Sequence, residues 1–183
     1  MQEKNDYVIT HDTMVLFTHY DNGETITKVI DRNGQFLVRK KPYELMDDSL
    51  KYYGSSLKGA RDGAKRILGN VLMCPVLMSE KLELYWFYTR SYNHPECTWI
   101  SLQHVESHMR KDSKSTIVIL KNKIEIELDI SLQRFDRKLQ RAYLLKGKID
   151  ERVKPSSNVM EKVMPYLVYK PDGQLNYEFE QLS

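Results

Sequence analysis

The sequence has no long apolar run. Its uninterrupted apolar stretches are short, such as residues 84–88 and 117–120, far below the ~20 residues that a bilayer-spanning helix needs. The opening residues Met-Gln-Glu-Lys-Asn-Asp are polar and of mixed charge, so they do not form the apolar core of a secretory signal. We therefore predict no membrane helix and expect a cytoplasmic protein.

Cysteine is also scarce, because only Cys74 and Cys97 occur among 183 residues. In a reducing compartment such residues are usually plain thiols in the core, and we interpret both in this way. A zinc site could involve Cys97, His104 and His108, but these three lack a nearby fourth ligand and a CxxC pair. We expect neither a metal nor another cofactor.

Motifs for catalysis are missing as well. The segment GSSLKGARDGAKR, residues 54–66, is rich in glycine and serine, but it lacks the lysine followed by Ser/Thr that a phosphate-binding loop needs. Its composition favours a loop or a frayed short helix. Asp47 and Asp48 are adjacent on a predicted helix, so they project about 100° apart and make a poor two-carboxylate site. No Gly-x-Ser-x-Gly or HExxH motif is present, and we expect a protein that is not an enzyme.

What the sequence does have is positive charge in two separate segments. Residues 51–70 contain five Lys/Arg and one acid, a net charge of +4, and residues 108–148 contain eleven Lys/Arg and five acids, a net charge of +6. Since the whole chain carries only +3, the remainder is acidic. Such segregation creates a one-sided field that attracts polyanions, whereas an evenly mixed surface mainly aids solubility.

The length and the 41% hydrophobic content suit a single core. We predict an α+β fold: a β-rich single domain with antiparallel hairpins, one helix near residues 42–53 and a basic C-terminal helix near residues 131–146. Gly54 is expected to end the first helix. The domain is predicted to span residues 1–154, followed by a linker and tail at 155–183.

Several strands are predicted from local patterns. We expect a short strand at YVIT, residues 7–10, and a hairpin about the Asn33-Gly34 dipeptide, which tolerates positive φ. Residues 115–120 should pair with 123–130, where apolar residues alternate strictly with acids. The aromatic run Tyr85–Tyr88 predicts a core strand, and the alternative is a surface for self-association.

The C-terminal helix is predicted to be amphipathic. Ser131 suits its N-cap and Gly147 its end, and the buried stripe consists of Leu132, Phe135, Leu139 and Ala142 or Tyr143. Four cations with i, i+3, i+4, i+7 spacing share another face: Arg134, Arg137, Lys138 and Arg141. A solvated helix face is the ordinary explanation for such a pattern, but the second basic segment upstream favours a binding face.

Three blocks together carry a family resemblance. They are YYGSSLKGARDGA at 52–64, PECTWISLQHV at 95–105 and the basic helix, in this order within residues 7–152. They resemble the ComK family of competence transcription factors of low-GC Gram-positive bacteria. The resemblance implies a transcriptional activator that binds paired A/T-rich boxes as an oligomer, typically at DNA-uptake genes. It also implies delivery by an adaptor to a Clp-type protease.

Individual positions follow this family pattern with two departures. The matched positions are Gly54, Ser55, Ser56, Gly59, Arg61 and Gly63. Ala60 stands where a basic residue is expected, and Asp62 adds an acid. These departures support a rival hypothesis from another class, a protein-interaction paralogue that modulates another regulator or its proteolytic adaptor without binding DNA.

A second resemblance concerns the order of elements. WISLQHVESHM, the following hairpin and the basic helix are similar in order to the LytTR DNA-binding domain. LytTR domains enter the major groove, whereas the competence regulators are associated with A/T tracts and the minor groove. A narrow A-tract minor groove concentrates negative potential and attracts inserted arginine, and we follow the competence family.

The sequence thus predicts a DNA-binding surface in which cations neutralise phosphates or enter the minor groove, while serines and nearby amides set the register. The predicted site residues are Ser55, Ser56, Lys58, Arg61, Lys65, Arg66, Arg90, Arg134, Arg137, Lys138 and Arg141. The TRSYNHPEC connection that holds Arg90 is longer than its family counterpart. The expected partners are double-stranded DNA, further copies of the chain, RNA polymerase and a Clp protease adaptor, with no membrane.

Overall fold

The structure is a computed structural model, and it describes residues 2–69 and 71–153. The predicted linker and tail, residues 155–183, lie outside the described residues. Within the described part of the chain there are ten strands and three helices, which confirms the predicted α+β class. None of the described helices is both long and apolar enough to cross a bilayer.

The elements form two sheets. The strands are β1 (Gln2–Lys4), β2 (Thr13–Asp21), β3 (Glu24–Asp31), β4 (Gly34–Val38), β5 (Val76–Ser79), β6 (Leu84–Tyr88), β7 (Trp99–Ser101), β8 (Val105–Arg110), β9 (Thr116–Leu120) and β10 (Glu125–Leu128). The helices are α1 (Pro42–Tyr52), α2 (Leu57–Leu68) and α3 (Leu132–Val153). One described sheet has the order β1-β4-β3-β2-β7-β6-β5 and the other β10-β9-β8. Every pairing except the parallel β1–β4 contact is antiparallel, as the predicted hairpins require.

Two tight turns connect β2, β3 and β4. Asn22 and Gly23 have φ values of 48° and 84°, which suit the two-residue hairpin between β2 and β3. The predicted Asn33-Gly34 turn is displaced by one residue, because Asp31 pairs with Gly34 across the ladder. The Asp31 carboxylate accepts the Asn33 amide at 3.0 Å, and this local bond places the turn on Arg32 and Asn33.

The predicted strand at residues 7–10 is wrong, since these residues belong to no strand. The Ile9 amide donates to Ser49 Oγ at 3.0 Å, and the Ile9 carbonyl accepts from the Tyr53 hydroxyl at 3.0 Å. Side chains in and just after α1 therefore satisfy the backbone groups that a neighbouring strand would otherwise satisfy. Ile9 is buried nevertheless, so its apolar character reflects the core and not a sheet.

The first predicted helix is confirmed, but residues 54–66 do not form the expected loop or frayed helix. Gly54 has φ +84° just after α1, as a helix-terminating glycine should. From Leu57 the chain forms α2, a helix of 12 residues. Ser56 caps it by accepting the Gly59 amide at 3.1 Å. This cap and the burial of Leu57 and Ala64 outweigh the cost of about 1 kcal/mol for each helical glycine.

The predicted hairpin at 115–130 is confirmed. Ile126 pairs with Val118 and Glu127 with Ile117, and the alternation separates buried Ile126 and Leu128 from exposed Glu127. The helix α3 follows directly after Ser131, whose carbonyl accepts the amides at the start of the helix.

The predicted end of α3 at Gly147 is wrong. The helix continues through Gly147 to Val153. Ile149 packs against the same core cluster as Ala142 and Leu145, so the buried stripe continues past the glycine. An ion pair of 3.3 Å between Lys146 and Asp150 spans the same turn. Tyr143 is 53% exposed, which assigns the stripe position to Ala142.

The strand β6 separates two core clusters. Tyr85 and Phe87 pack in one cluster with α3, and Trp86 and Tyr88 pack in the other with α1. Every residue of β6 is buried. This confirms the prediction of a core strand and removes the aromatic run as a free surface for self-association.

His104 lies where the chain passes from the large sheet to the small one, in a 3₁₀ turn. Its Nε2–H donates to the His11 carbonyl at 2.7 Å, and its buried Nδ1 has no partner among the described residues. Burial lowers the pKa of this ring from its ordinary value, against the smaller opposing effect of the bond to His11. The folded protein therefore holds His104 neutral.

We predict that this histidine makes the fold sensitive to acid. Because the folded pKa lies below the unfolded value of 6.5, the unfolded chain binds more protons as the pH falls from about 6.5. Stability should fall in this window, and His104→Gln should reduce the dependence of the melting temperature on pH between 7 and 5. The matched control is His19→Gln on β2. Equal pH slopes in wild type and His104→Gln would contradict the prediction.

Candidate nucleic-acid interface

A basic groove runs along the first half of α3. It has a volume of about 870 Å³, and Asp129 is the one carboxylate among its described lining residues. Its cations are Arg90, Lys114, Arg134, Arg137, Lys138 and Arg141. Five of these six were predicted from the sequence. Lys114 was missed because it lies in the β8–β9 turn, far along the chain from the other cations, and only the fold brings it to the groove.

The four cations of α3 are not neutralised by acids of the described residues. Arg134, Arg137, Lys138 and Arg141 form no ion pair with any carboxylate of the described residues. Asp136, the one acid in this segment, instead lies 2.5 Å from His108 Nε2 on β8. The acid that interrupts the basic sequence therefore bonds to the small sheet and does not pair with these cations.

Arg90 differs from the other predicted cations. Its guanidinium pairs with Asp129, and a second carboxylate, Glu96, lies 3.4 Å away. Two neighbouring acids offset its charge, so its contribution to attracting a polyanion is smaller than that of the α3 arginines.

Lys138 is partly buried beneath the groove. Its Nζ lies 3.4 Å from Met73 Sδ and 5.9 Å from the centroid of the Tyr88 ring. Burial is the main reason that the pKa of this amine is lowered to about 8; Cys97 opposes this effect, and Arg141 and Arg134 add to it. A charged amine held here with no carboxylate partner destabilises the fold.

The second cationic cluster lies on α2 and consists of Lys58, Arg61, Lys65 and Arg66. None of the four forms an ion pair with a described carboxylate. The Arg61 guanidinium lies 4.3 Å from the centroid of the Tyr92 ring, an arrangement that holds the cation by a cation–π contact. Tyr92 was missed from the sequence because it belongs to an irregular connection with no periodicity.

Members of the two cationic clusters approach the same buried residues. Arg61 and Lys138 both lie beside Tyr88: burial raises the pKa of its hydroxyl to about 12, and Arg61 opposes this effect. The Cys74 thiol has Lys65, Arg61 and Arg141 as neighbours that oppose the rise of its pKa on burial. Arg61, Lys65 and Arg141, which the sequence predicted in two separate segments, thus come close together around Cys74.

The start of α2 is less available to bind a phosphate than the sequence predicted. The Ser56 hydroxyl accepts the Gly59 amide, and Asp47 Oδ1 accepts the Leu57 amide at 2.7 Å. A carboxylate of the protein itself therefore occupies the helix N-terminus, where a phosphate would otherwise bind. Ser55 is exposed.

The two departures from the family pattern have different consequences. Ala60 packs against the core cluster around α1, so its lack of charge leaves the outer surface of α2 unchanged. Asp62 is exposed and lies one helical turn from both Lys58 and Arg66. It weakens the positive field of α2 at that point.

The three side chains considered for zinc have other partners. His104 bonds to the His11 carbonyl, and His108 pairs with Asp136. Burial raises the pKa of the Cys97 thiol to about 11. Among residues 2–69 and 71–153, no three His, Cys, Asp or Glu side chains come together as metal ligands.

The fold and the site define a small α+β protein with a basic groove along its C-terminal helix. A family model described as ComK protein matches residues 4–154 of the chain. The chain therefore belongs to the ComK family, and it is a competence transcription regulator.

A relative with a curated description supports the same conclusion. The Competence transcription factor of Bacillus subtilis (strain 168) is 27% identical over 158 residues, which cover 84% of this chain and 82% of that protein. No solved structure gives a significant match, so the similarity to LytTR domains stays one of sequence order. Membership of a transcription-factor family favours a function that is not enzymatic.

We predict that Lys138→Met stabilises the folded protein at pH 7. Below pH 8 the wild-type amine is charged and partly buried, so the variant should be more stable at pH 7, by on the order of 1 kcal/mol. The pKa of this amine is about 10.5 in the unfolded chain and about 8 in the folded protein. The stability of the wild type should therefore rise with pH between these values, and the greater stability of the variant should disappear. Thermal melts at pH 7 and 10 measure this. A variant that is less stable at pH 7 would contradict it.

Proposed function

We propose that this protein is a sequence-specific DNA-binding transcriptional activator of competence genes, that is, genes for DNA uptake. It binds A/T-rich boxes through the minor groove and acts as an oligomer in the cytoplasm. The observation that supports this most is that Arg61 and Lys65 of α2 and Arg141 of the basic groove come close together around Cys74. None of the cations of the two clusters forms an ion pair with a described carboxylate.

The chemistry of the surface suits a phosphate backbone. Guanidinium groups bind phosphate oxygens through paired hydrogen bonds, and each neutralised phosphate releases counterions. Arg134 and Arg137 are exposed on α3, so they are free to reach beyond the groove. In an A/T-rich box, the narrow minor groove has the more negative potential and favours arginine insertion.

Pairing of protomers supplies the selectivity that one site lacks. A single protomer that contacts a short box discriminates weakly, and two protomers on spaced boxes multiply the discrimination. Self-association is therefore part of the proposal. The proposal also includes contact with RNA polymerase and delivery by an adaptor to a Clp-type protease.

We predict preferential and salt-dependent binding to A/T-rich DNA. Fluorescence anisotropy with an A/T-box duplex and a G/C-rich duplex of equal length should give tighter binding to the first. If about six phosphates are neutralised per protomer, the log–log salt slope should be near roughly −5 per protomer.

The same titration tests a rival function. The exposed acid Asp62 among the α2 cations favours a protein-interaction paralogue that modulates another regulator or its proteolytic adaptor. Equal and very weak binding to both duplexes would support that function and overturn the DNA-binding one.

We also predict that reversing charges on α3 abolishes tight binding. Arg134→Glu combined with Arg137→Glu replaces two free cations by anions, and affinity should fall by roughly a hundredfold or more because attraction becomes repulsion. The matched control, Lys81→Glu with Lys121→Glu, makes the same net charge change in the β5–β6 and β9–β10 turns. Equal losses in a folded pair of variants would show that only net charge matters and would remove α3 from the site.

A further inference from the structure

We propose that Leu72 is an apolar wedge that inserts between base pairs of the bound DNA from the minor groove. This inference rests on the proposed DNA-binding function and adds a residue that the charge pattern does not reveal. The partner is an A/T-rich duplex, in which Leu72 inserts between two stacked base pairs.

The exposure of Leu72 is unusual for its surroundings. Its side chain is 82% exposed, the most exposed large hydrophobic residue in the described part of the chain. Its neighbours face inward: Val71 packs against one core cluster, Met73 against the other, and Cys74 is buried. The chain therefore points one leucine outward between residues that anchor it on both sides.

The backbone at Leu72 is fixed in place. The Arg141 guanidinium donates to the Leu72 carbonyl at 3.1 Å, and the Cys74 thiol donates to the Val71 carbonyl at 2.9 Å. Met73 has φ +56°, an unfavourable value for a residue with a side chain that the surrounding packing must stabilise. A leucine on such a backbone loses little further freedom when it inserts into a ligand.

The charges around Leu72 identify the partner. Residues 71–74 lie close to cations of both helices. Arg61 and Lys65 of α2 lie near Cys74, whereas Arg141 and Lys138 of α3 contact the Leu72 carbonyl and the Met73 sulfur. An apolar side chain flanked by cations complements a duplex, whose phosphates flank stacked apolar bases. Minor-groove proteins use leucine in this way to unstack a base step and bend the DNA.

Exposed apolar residues also occur outside the two cationic clusters. Leu82 is 38% exposed and lies in the β5–β6 turn between Lys81 and the acid Glu83. Isolated exposed leucines are common on protein surfaces, which makes Leu82 a suitable control.

The test measures base unstacking directly. An A/T-box duplex with 2-aminopurine at its central steps should become more fluorescent when wild-type protein saturates it, because the probe is quenched while it is stacked. Leu72→Ala should still bind, weaker by about tenfold or less because the phosphate contacts remain, but should lose most of the fluorescence increase. Leu82→Ala should match wild type, and Leu72→Met should keep most of the increase.

Each outcome is decisive. If saturating Leu72→Ala gives the wild-type fluorescence increase, the wedge is overturned while DNA binding stands. If wild-type protein does not bind the duplex, both the wedge and the proposed function fail. If Leu72→Ala changes the sedimentation of the free protein and leaves unstacking intact, the residue serves a protein contact and the wedge is wrong.

Discussion

The burial of one stripe of α3 determines where the charges of this protein point. Phe135 is fully buried beside Phe87, with ring centroids 5.7 Å apart, and Leu145 extends the same contact along the helix. Burying each such side chain stabilises the fold by about 2 kcal/mol, whereas repulsion between two solvated cations costs about 1 kcal/mol or less. Packing therefore outweighs repulsion and holds Arg134 and Arg137 outward on a common surface.

The arrangement of the basic surface lowers the stability of the fold. Lys138 is partly buried near two arginines, with a pKa lowered to about 8, and Met73 beside it has a left-handed backbone conformation. Neither feature helps the core, and both lie where α2, α3 and residues 71–74 meet. Destabilising features that lie together at one place are typical of functional sites. A polyanion bound to this surface would reduce the electrostatic repulsion between Lys138 and the two arginines.

Sequence patterns predicted an element correctly where a single local signal was present, and incorrectly where glycine content opposed burial and capping. Strict alternation in residues 123–130 gave the hairpin, because the side-chain period of a strand leaves one register that buries Ile126 and Leu128. At residues 54–66 glycine content argued against a helix, but the Ser56 cap and burial of Ala64 prevailed. Gly147 failed to end α3 for the same reason, since Ile149 continues the buried stripe.

By itself the sequence determined the α+β class, the amphipathic basic helix and the two charged segments, because periodicity and charge are local properties of the chain. Only the tertiary structure decided that Arg61 and Lys65 come close to Arg141 around Cys74, that Glu96 and Asp129 offset Arg90, and that Tyr92 supports Arg61. It also decided that Leu72 lies exposed near these cations. These facts depend on contacts between residues distant in sequence, and long-range packing, which sets such contacts, leaves no periodic pattern along the chain.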